Sequence, residues 1–369
     1  MASPLAVQNA CSKCTVPATI TTFVKIDRQA RTVKTFLAAG SRHNSVIVGI
    51  LVPLTPTLTH HAFPCAATKR ITVGWTFILT LFAGGCTGDI AEFNGPDAPR
   101  FATFSQDNRP RLALVLGGGG PRGFAHVGVL KVLEANGIQP DLVVGASVGA
   151  LIGALYANGM SAAEIEKMAL AIDPKRFIGV STSGLSGNGA ALETFIREST
   201  DGKPLEGLKR KLAVTAARRE GNLLTIFTQG NLGAAVRASS ATPGQFAPVK
   251  ILGVEYHDGD EAQPVPIRAA RELGAEVVIA VDVSAYLEST PTEAPDAWRK
   301  RDRKRTALIE TERALSDVFI HPDLNYYASI SEPYRLMCIQ RGEDAALAAL
   351  PKIRESIRLA RSAARRTNP

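Results

Sequence analysis

Aromatic residues are scarce in this 369-residue chain: Phe, Tyr and Trp together make up 6% of it. Proteins that bind single-stranded nucleic acid stack bases on such rings, so nucleic acid is not an expected partner. Cysteines are few and scattered, at Cys11, Cys14, Cys65, Cys86 and Cys338. An odd set without regular spacing supplies no disulfide framework. Cys11-x-x-Cys14 has no second pair and no strand–helix context, so it predicts neither a zinc nor a redox site. Internal repeats are absent, which excludes solenoids and propellers. What remains is ordinary globular composition, 45% hydrophobic and 21% charged, enough for one large domain with extensions. The net charge of +8 favours anionic surfaces such as acidic lipid head groups.

Residues Lys69 to Cys86, "KRITVGWTFILTLFAGGC", place two basic residues before a short apolar stretch, then small residues and a cysteine. That is the layout of a secretory signal peptide. It resembles a bacterial lipoprotein signal in which Cys86 is lipidated, although Ala83 stands where such signals prefer leucine. The apolar part is too short for a membrane span of about 20 residues. The alternatives are a single-pass anchor or a buried segment. Residues 1–68 precede the signal and show no sustained helical or strand period. They are expected to be an unstructured extension, or the product of a start assigned too early, with translation beginning near Lys69 to Val73. Export and membrane attachment through Cys86 follow as expectations.

Residues 87–110 are polar and rich in Pro and Gly, and read as a linker. Beyond it, Arg111 to Gly117 is an apolar, buried-type strand. Gly123 to Asn136 follows with His126, Val129, Leu130 and Leu133 on one helical face, and Gly137 as C-cap. Leu142 to Val144 is a short strand and Val148 to Ala157 a helix of small residues. Strand, glycine loop, helix, strand, tight turn and helix form a βαβ unit, which predicts a parallel α/β sheet covered by helices. "KLAVTAA", "NLLTIFTQG" and "AEVVIAVDV" read as further strands. Residues 284–369 are expected to be a basic linker and helices packed on the core. Their basic run, Pro295 to Arg305, reads as a solvated linker or helix face, with contact to anionic lipid as the alternative.

Four consecutive glycines, Gly117 to Gly120, stand between the first strand and the first helix. Gly118, Gly120 and Gly123 fit the G-x-G-x-x-G spacing of a dinucleotide loop. Such a site needs an acidic residue about 20 positions further on, at the end of the second strand. There the sequence has Gly145-Ala146-Ser147-Val148-Gly149, and Asp141 lies at the strand's start. G-x-S-x-G between strand and helix is a nucleophile elbow: the turn strains the serine, and the glycines remove side chains that would collide across it. The glycine loop is therefore better used as backbone donors to an acyl oxyanion.

Further on stands Asp258-Gly259, ahead of a proline-containing loop and a strand. With it the chain resembles a bacterial patatin-like phospholipase over about Arg111 to Val283. Gly118-Gly119-Gly120-Pro121-Arg122-Gly123 is similar to that family's oxyanion motif, Gly145 to Gly149 to its serine motif, and Asp258-Gly259 to its Asp-Gly motif. Ala235 to Val249, "AVRASSATPGQFAPV", resembles the segment that precedes the last motif. The resemblance implies a three-layer α/β/α fold with a central, mainly parallel sheet, and lipid ester hydrolysis by a Ser–Asp dyad. Ser147 would be the nucleophile and Asp258 its base. The amides of Gly118, Gly119 and Gly120, with Arg122 nearby, would hold the oxyanion. It implies a lipid or phospholipid ester substrate at a membrane surface, and no metal or cofactor. Two departures stand out. Asp260 replaces the usual Gly or Ala after Asp-Gly and is expected to face solvent, and Pro121 has no N–H to donate.

A Ser-His-Asp esterase of the α/β-hydrolase kind is the first rival, with Ser147, Asp258 or Asp282, and His321 in the required order. His126 shares an apolar helix face and reads as packed. His257 points away from Asp258 if that stretch is extended. A nucleotide-binding protein using the glycine loop is the second rival. A catalytically impaired, membrane-associated regulator is the third, because of Asp260 and the unusual amino terminus.

Overall fold

The computed structural model describes residues 19–27, 32–41, 44–53, 90–105, 111–181 and 184–367. The chain divides into two units, residues 1–81 and 82–369. In the first, β1 (Thr19–Asp27), β2 (Thr32–Ser41) and β3 (Asn44–Pro53) form an antiparallel meander. Residues 19–27, 32–41 and 44–53 thus carry strands within the stretch expected to be unstructured; the rest of 1–68 lies outside the described residues. β-Branched residues dominate β1, "TITTFVKID", and such residues favour extended backbone even without strict alternation. The signal-like residues 69–86, including Cys86, lie outside the described residues.

The second unit begins with β4 (Ala91–Phe93), β5 (Leu112–Leu116), α1 (Phe124–Ala135), β6 (Leu142–Ala146), α2 (Val148–Asn158) and α3 (Ala162–Ala171). It continues through a small hairpin of β7 (Ile178–Ser181) and β8 (Gly184–Gly187), then α4 (Gly189–Ser199), β9 (Lys211–Arg218), β10 (Leu224–Phe227) and α5 (Leu232–Ser239). The last elements are β11 (Val249–Ile251), β12 (Val254–Asp258), α6 (Ile267–Glu272), β13 (Val277–Val281), α7 (Asp296–Arg313), β14 (Val318–Ile320) and α8 (Glu332–Thr367). Strands run in the order β14-β13-β5-β6-β9-β12-β11-β4, with β10 also paired to β9. β14, β13, β5, β6 and β9 are parallel, and the β9–β12–β11 edge is antiparallel.

The parallel centre follows from composition. β5 "LALVL", β6 "LVVGA" and β13 "VVIAV" are buried at every position, as strands covered on both faces must be. Leu112, Leu114 and Leu116 of β5 face one core, shared with α1, α2, α5 and α8. Ala113 and Val115 face the other, smaller core, closed by α6 and Ile309 of α7. Three layers result. α8 lies against α1 so closely that a Cβ on Gly128 or on Gly342 would run into the other helix's backbone.

Two boundaries move. Residues 87–110, read as a linker, supply β4, which pairs in parallel with β11, and Arg100 bridges to Gln229. A three-residue edge strand with partly exposed side chains is too short to register as a pattern. At the other end the sheet extends past residue 283 through β14, and the basic run is the first half of a helix, α7, not a linker. Among the described residues no helix is long and apolar enough to cross a membrane.

Candidate active site

β6 delivers the chain to Ser147 at the carboxyl end of the parallel strands, where open α/β sheets place their sites. Ser147 takes φ 53° and ψ −123°, and α2 starts at the next residue. A non-glycine residue held there stores about 1–3 kcal/mol of strain, which the surroundings must impose. They do: a Cβ on Gly149 would run into the Leu116 carbonyl, and one on Gly145 into the backbone of Ala150. The Ser147 N–H donates to Ser239 Oγ of α5 at 2.8 Å. The serine is 8% exposed, and the amino-terminal end of the α2 dipole favours negative charge beside it.

Asp258 ends β12, which pairs with β9. Its Oδ2 accepts from Ser147 Oγ at 2.9 Å and from Thr242 Oγ1 at 2.6 Å, while Oδ1 accepts from the Asp260 N–H at 3.0 Å. Burial pushes its pKa up to about 6, against the hydrogen bonds from Thr242 and Ser147 and the positive charge of Arg305. Glu261 adds to the upward push. The result is a carboxylate in contact with a serine hydroxyl and basic enough to accept its proton. Gly259 lies against the Thr215 backbone, where a side chain would not fit.

The glycine loop is more divided than its sequence suggests. The Gly118 N–H donates to the Pro264 carbonyl at 2.9 Å, which corrects its reading as an oxyanion donor. The N–H groups of Gly119 and Gly120 have no partner among the described residues. A 3-10 turn, Gly120–Gly123, then leads into α1, with Gly123 packed against Val148 beside Ser147. Arg122 is placed otherwise than expected. Its Nε donates to the Asn325 carbonyl at 3.2 Å and its Nη2 to the Tyr326 carbonyl, so it braces the turn against the segment before α8. Burial lowers its pKa.

Asp260 does not face solvent. Its side chain is 10% exposed and pairs with Arg305 of α7, and it lies directly beneath Gly118. The turn after Asp258 folds under the glycine loop, and α7 crosses that spot with a guanidinium. Arg305 is itself mostly shielded from solvent, its side chain 18% exposed, and this desolvation lowers its pKa to about 10 despite the attraction of Asp258.

The described histidines have other attachments. His126 Nε2 donates to the Gly117 carbonyl at 2.8 Å, and burial lowers its pKa to about 4, so it stays neutral. His257 Nε2 contacts Asn222 Oδ1 at 2.8 Å. His321 stacks on Tyr286 and lies 3.1 Å from Asp282 Oδ2. The Ser147 hydroxyl donates to a carboxylate, not to an imidazole. His43, His60 and His61 lie outside the described residues. Among the described residues no cluster of three or more His, Cys, Asp or Glu could hold a metal ion.

Sequence reasoning missed Ser239, Thr242 and Arg305. The first two sit inside the Ala235–Val249 segment, whose hydroxyls were the available signal; for Arg305 there was none. From Ser147 an apolar cavity of about 350 Å³ runs between α1, α2, α3 and α4, lined by Phe124, Leu151, Leu155, Met168, Phe195 and Phe246. A larger groove of about 680 Å³ lies at the opposite, amino-terminal end of the strands, against Arg111, Asp141 and Glu276. Polar walls and distance from Ser147 separate it from the chemistry.

Residues 114–271 match the family described as patatin-like phospholipase. The chain is 33% identical over 200 residues to patatin-like phospholipase domain-containing protein 6 of Mus musculus, covering 51% of this chain and 15% of the mouse protein. It is 31% identical over 215 residues to lysophospholipase NTE1 of Pyricularia oryzae, covering 54% of this chain and 14% of that one. An NTE family protein of Mycobacterium bovis is 27% identical over 228 residues, covering 59% and 63% of the two chains. The chain thus spans about a seventh of the first two relatives. The solved structure of VipD from Legionella pneumophila aligns at 16% identity and TM-score 0.46, over 69% of this chain and 70% of that one.

Proposed function

We propose that the patatin-like phospholipase domain of this chain hydrolyses carboxylic esters of lipids through an acyl-serine intermediate. The observation that carries this reading is the 2.9 Å hydrogen bond from Ser147 Oγ to Asp258 Oδ2 at the mouth of an apolar cavity. Asp258 takes the hydroxyl proton as Oγ attacks the ester carbonyl carbon. The negative charge on the carbonyl oxygen falls to the free amides of Gly119 and Gly120, with the α2 dipole behind Ser147. Collapse breaks the C–O bond, and the alcohol leaves with the proton held by Asp258. Water then gives its proton to Asp258, attacks the acyl-serine, and releases the fatty acid while Ser147 regains its proton. The acyl chain occupies the cavity, whose walls offer it carbon and no charge. Names of relatives support phospholipid or lysophospholipid esters as the substrate class.

The layout of Lys69 to Cys86 supports export and membrane attachment through lipidated Cys86. Cys86→Ser should release the protein from membranes; unchanged fractionation would remove this part of the reading.

Catalysis is tested on Ser147→Ala, which should lose fluorophosphonate labelling and ester hydrolysis together. His257→Ala and His321→Ala should keep most activity. A loss in His321→Ala as deep as in Asp258→Asn, with the fold intact, would make the base a histidine and refute the dyad.

A further inference from the structure

We propose that Thr242 is a positioning residue for proton transfer at Ser147: its hydroxyl holds Oδ2 of Asp258 against Ser147 Oγ. The role in the reaction rests on the hydrolase reading above; the contact itself does not. Two hydroxyls meet on one oxygen. Thr242 Oγ1 donates to Oδ2 at 2.6 Å and Ser147 Oγ donates to it at 2.9 Å, while Oδ1 takes the Asp260 N–H at 3.0 Å. A carboxylate oxygen accepts along two lone pairs, so Thr242 and Ser147 together fill Oδ2. Held at both oxygens, the carboxylate cannot turn and present the wrong one. At 2.6 Å the threonine bond lies in the short range of hydroxyls donating to an ionised carboxylate, and the serine bond does not.

The hydroxyl is carried on a fixed frame. Thr242 stands shortly after the end of α5, and Pro243 next to it keeps it out of helical backbone. The Thr242 carbonyl accepts from the N–H of Gln245 at 3.0 Å and of Phe246 at 2.9 Å, and its own N–H donates to the Ser240 carbonyl at 2.9 Å. One residue back, the Ala241 carbonyl accepts the Asp258 N–H at 3.0 Å. The backbone and the side chain of the base are thus tied to adjacent residues, Ala241 and Thr242. Branching at Cβ restricts χ1 of a threonine, so the hydroxyl keeps its aim.

This geometry acts on both halves of the reaction. During attack the serine proton moves along the Oγ–Oδ2 contact while Thr242 remains the second partner of Oδ2. A hydroxyl donates more strongly to a carboxylate than to a neutral acid, so the threonine bond weakens once Oδ2 carries the proton. It therefore favours return of that proton to the leaving oxygen and keeps Asp258 ionised between turnovers. Burial raises the Asp258 pKa, and the Thr242 hydrogen bond opposes it, ahead of Ser147 and Arg305. The charged groups facing Asp258 are Arg305 of α7 and Glu261 of its own turn, with Asp260 held by Arg305. A change confined to Thr242 leaves all three in place. Thr242 also lines the cavity at Ser147, so the rival role is a plain wall for the acyl chain.

The test uses the full chain. Thr242→Val keeps the shape and removes the donor, Thr242→Ala removes it without adding a methyl group, and Thr242→Ser keeps it. On a soluble ester, the acid limb of Thr242→Val and Thr242→Ala should lie on the order of one pH unit above the parent. Their plateau kcat should fall about tenfold, with KM within about twofold. Thr242→Ser should keep the parent limb and most of kcat. An unmoved limb in Thr242→Val and Thr242→Ala would overturn the proposal, and so would a loss carried by KM alone, the mark of a cavity wall. Equal changes in Thr242→Ser and Thr242→Val would refute it too, because the hydroxyl would then be irrelevant. Carbon-13 titration of the Asp258 carboxyl, assigned by its loss in Asp258→Asn, reads the contact apart from turnover. The same titration in all these Thr242 variants and the parent would sink the assignment whatever their activity. A parent without esterase activity or fluorophosphonate labelling, whose Asp258 titration still moves in Thr242→Val and stays in Thr242→Ser, would instead refute the hydrolase reading and leave the Thr242 contact standing.

Discussion

Asp258 makes a quantitative demand on the pH profile. With its pKa at about 6, roughly a tenth of the enzyme carries an ionised base at pH 5, and kcat/KM should fall about tenfold from its plateau. A carboxylate at the ordinary 3.8 would keep more than about nine-tenths of its base form there. The perturbation that isolates the cause is the Asp260–Arg305 pair. Arg305 is the cation whose field lowers the Asp258 pKa, opposing burial and Glu261, while Thr242 and Ser147 hydrogen-bond the charged form. Arg305→Met removes that cation and strands Asp260, so the acid limb should move up by on the order of one pH unit. Asp260→Gly leaves Arg305 unpaired beside Asp258 and should move the limb down by a similar amount. The double substitution should return it close to about 6. Initial rates on a soluble ester between pH 4 and pH 9 read all four proteins. A limb that stays in place in both single variants, or moves the same way in both, would refute the electrostatic account.

The raised pKa also fixes a stability trend. The protonated form of Asp258 contributes stability that is fully present below its ordinary 3.8 and lost as pH rises through about 6. At pH 8, Asp258→Asn should therefore unfold later in urea than the parent, by about 1–3 kcal/mol, while losing several orders of magnitude in rate; an equally or less stable variant would contradict the burial cost. Met168→Trp, placed in the cavity wall, should depress hydrolysis of long-chain esters at least about tenfold and spare short ones, read from a chain-length series. A uniform loss across the series would mean that the acyl chain lies elsewhere.

The centre of the fold is legible because its strands carry a strong local signal. β5, β6 and β13 are apolar at every position, and their spacing around a glycine loop and two helices admits little besides a parallel βαβ unit. The margins are not legible for the opposite reason. β4 and β14 are three residues each, and they become strands through hydrogen bonds to neighbours already in place. A pattern that short has no period to read. The amino-terminal meander was hidden differently, because β-branched threonines in β1 disguise a strand as a polar stretch.

The same distinction runs through the candidate site. Ser147 and Asp258 could be picked out because each sits in a local motif whose glycines are sterically required, at Gly149 by the Leu116 carbonyl and at Gly259 by the Thr215 backbone. Which loop amides stay free depends instead on Pro264, whose carbonyl takes the Gly118 N–H. No spacing between residues 118 and 264 announces that. Asp260 looked solvent-facing because the residue that neutralises it belongs to a basic run, and such runs usually lie on a solvated face. One member of the run turns inward. Arg305 comes off α7 on the face opposite the exposed Lys300 and Arg303, close to the helix's buried residues Asp302 and Ile309. The helix thereby presents cations to the surface while spending one on the carboxylates beneath the glycine loop. An aspartate buried after the Asp-Gly motif is tolerable only with such a partner, since an unpaired buried charge costs several kcal/mol. Asp260 and Arg305 therefore act as one electrostatic unit, and replacing either alone should move the pKa of Asp258.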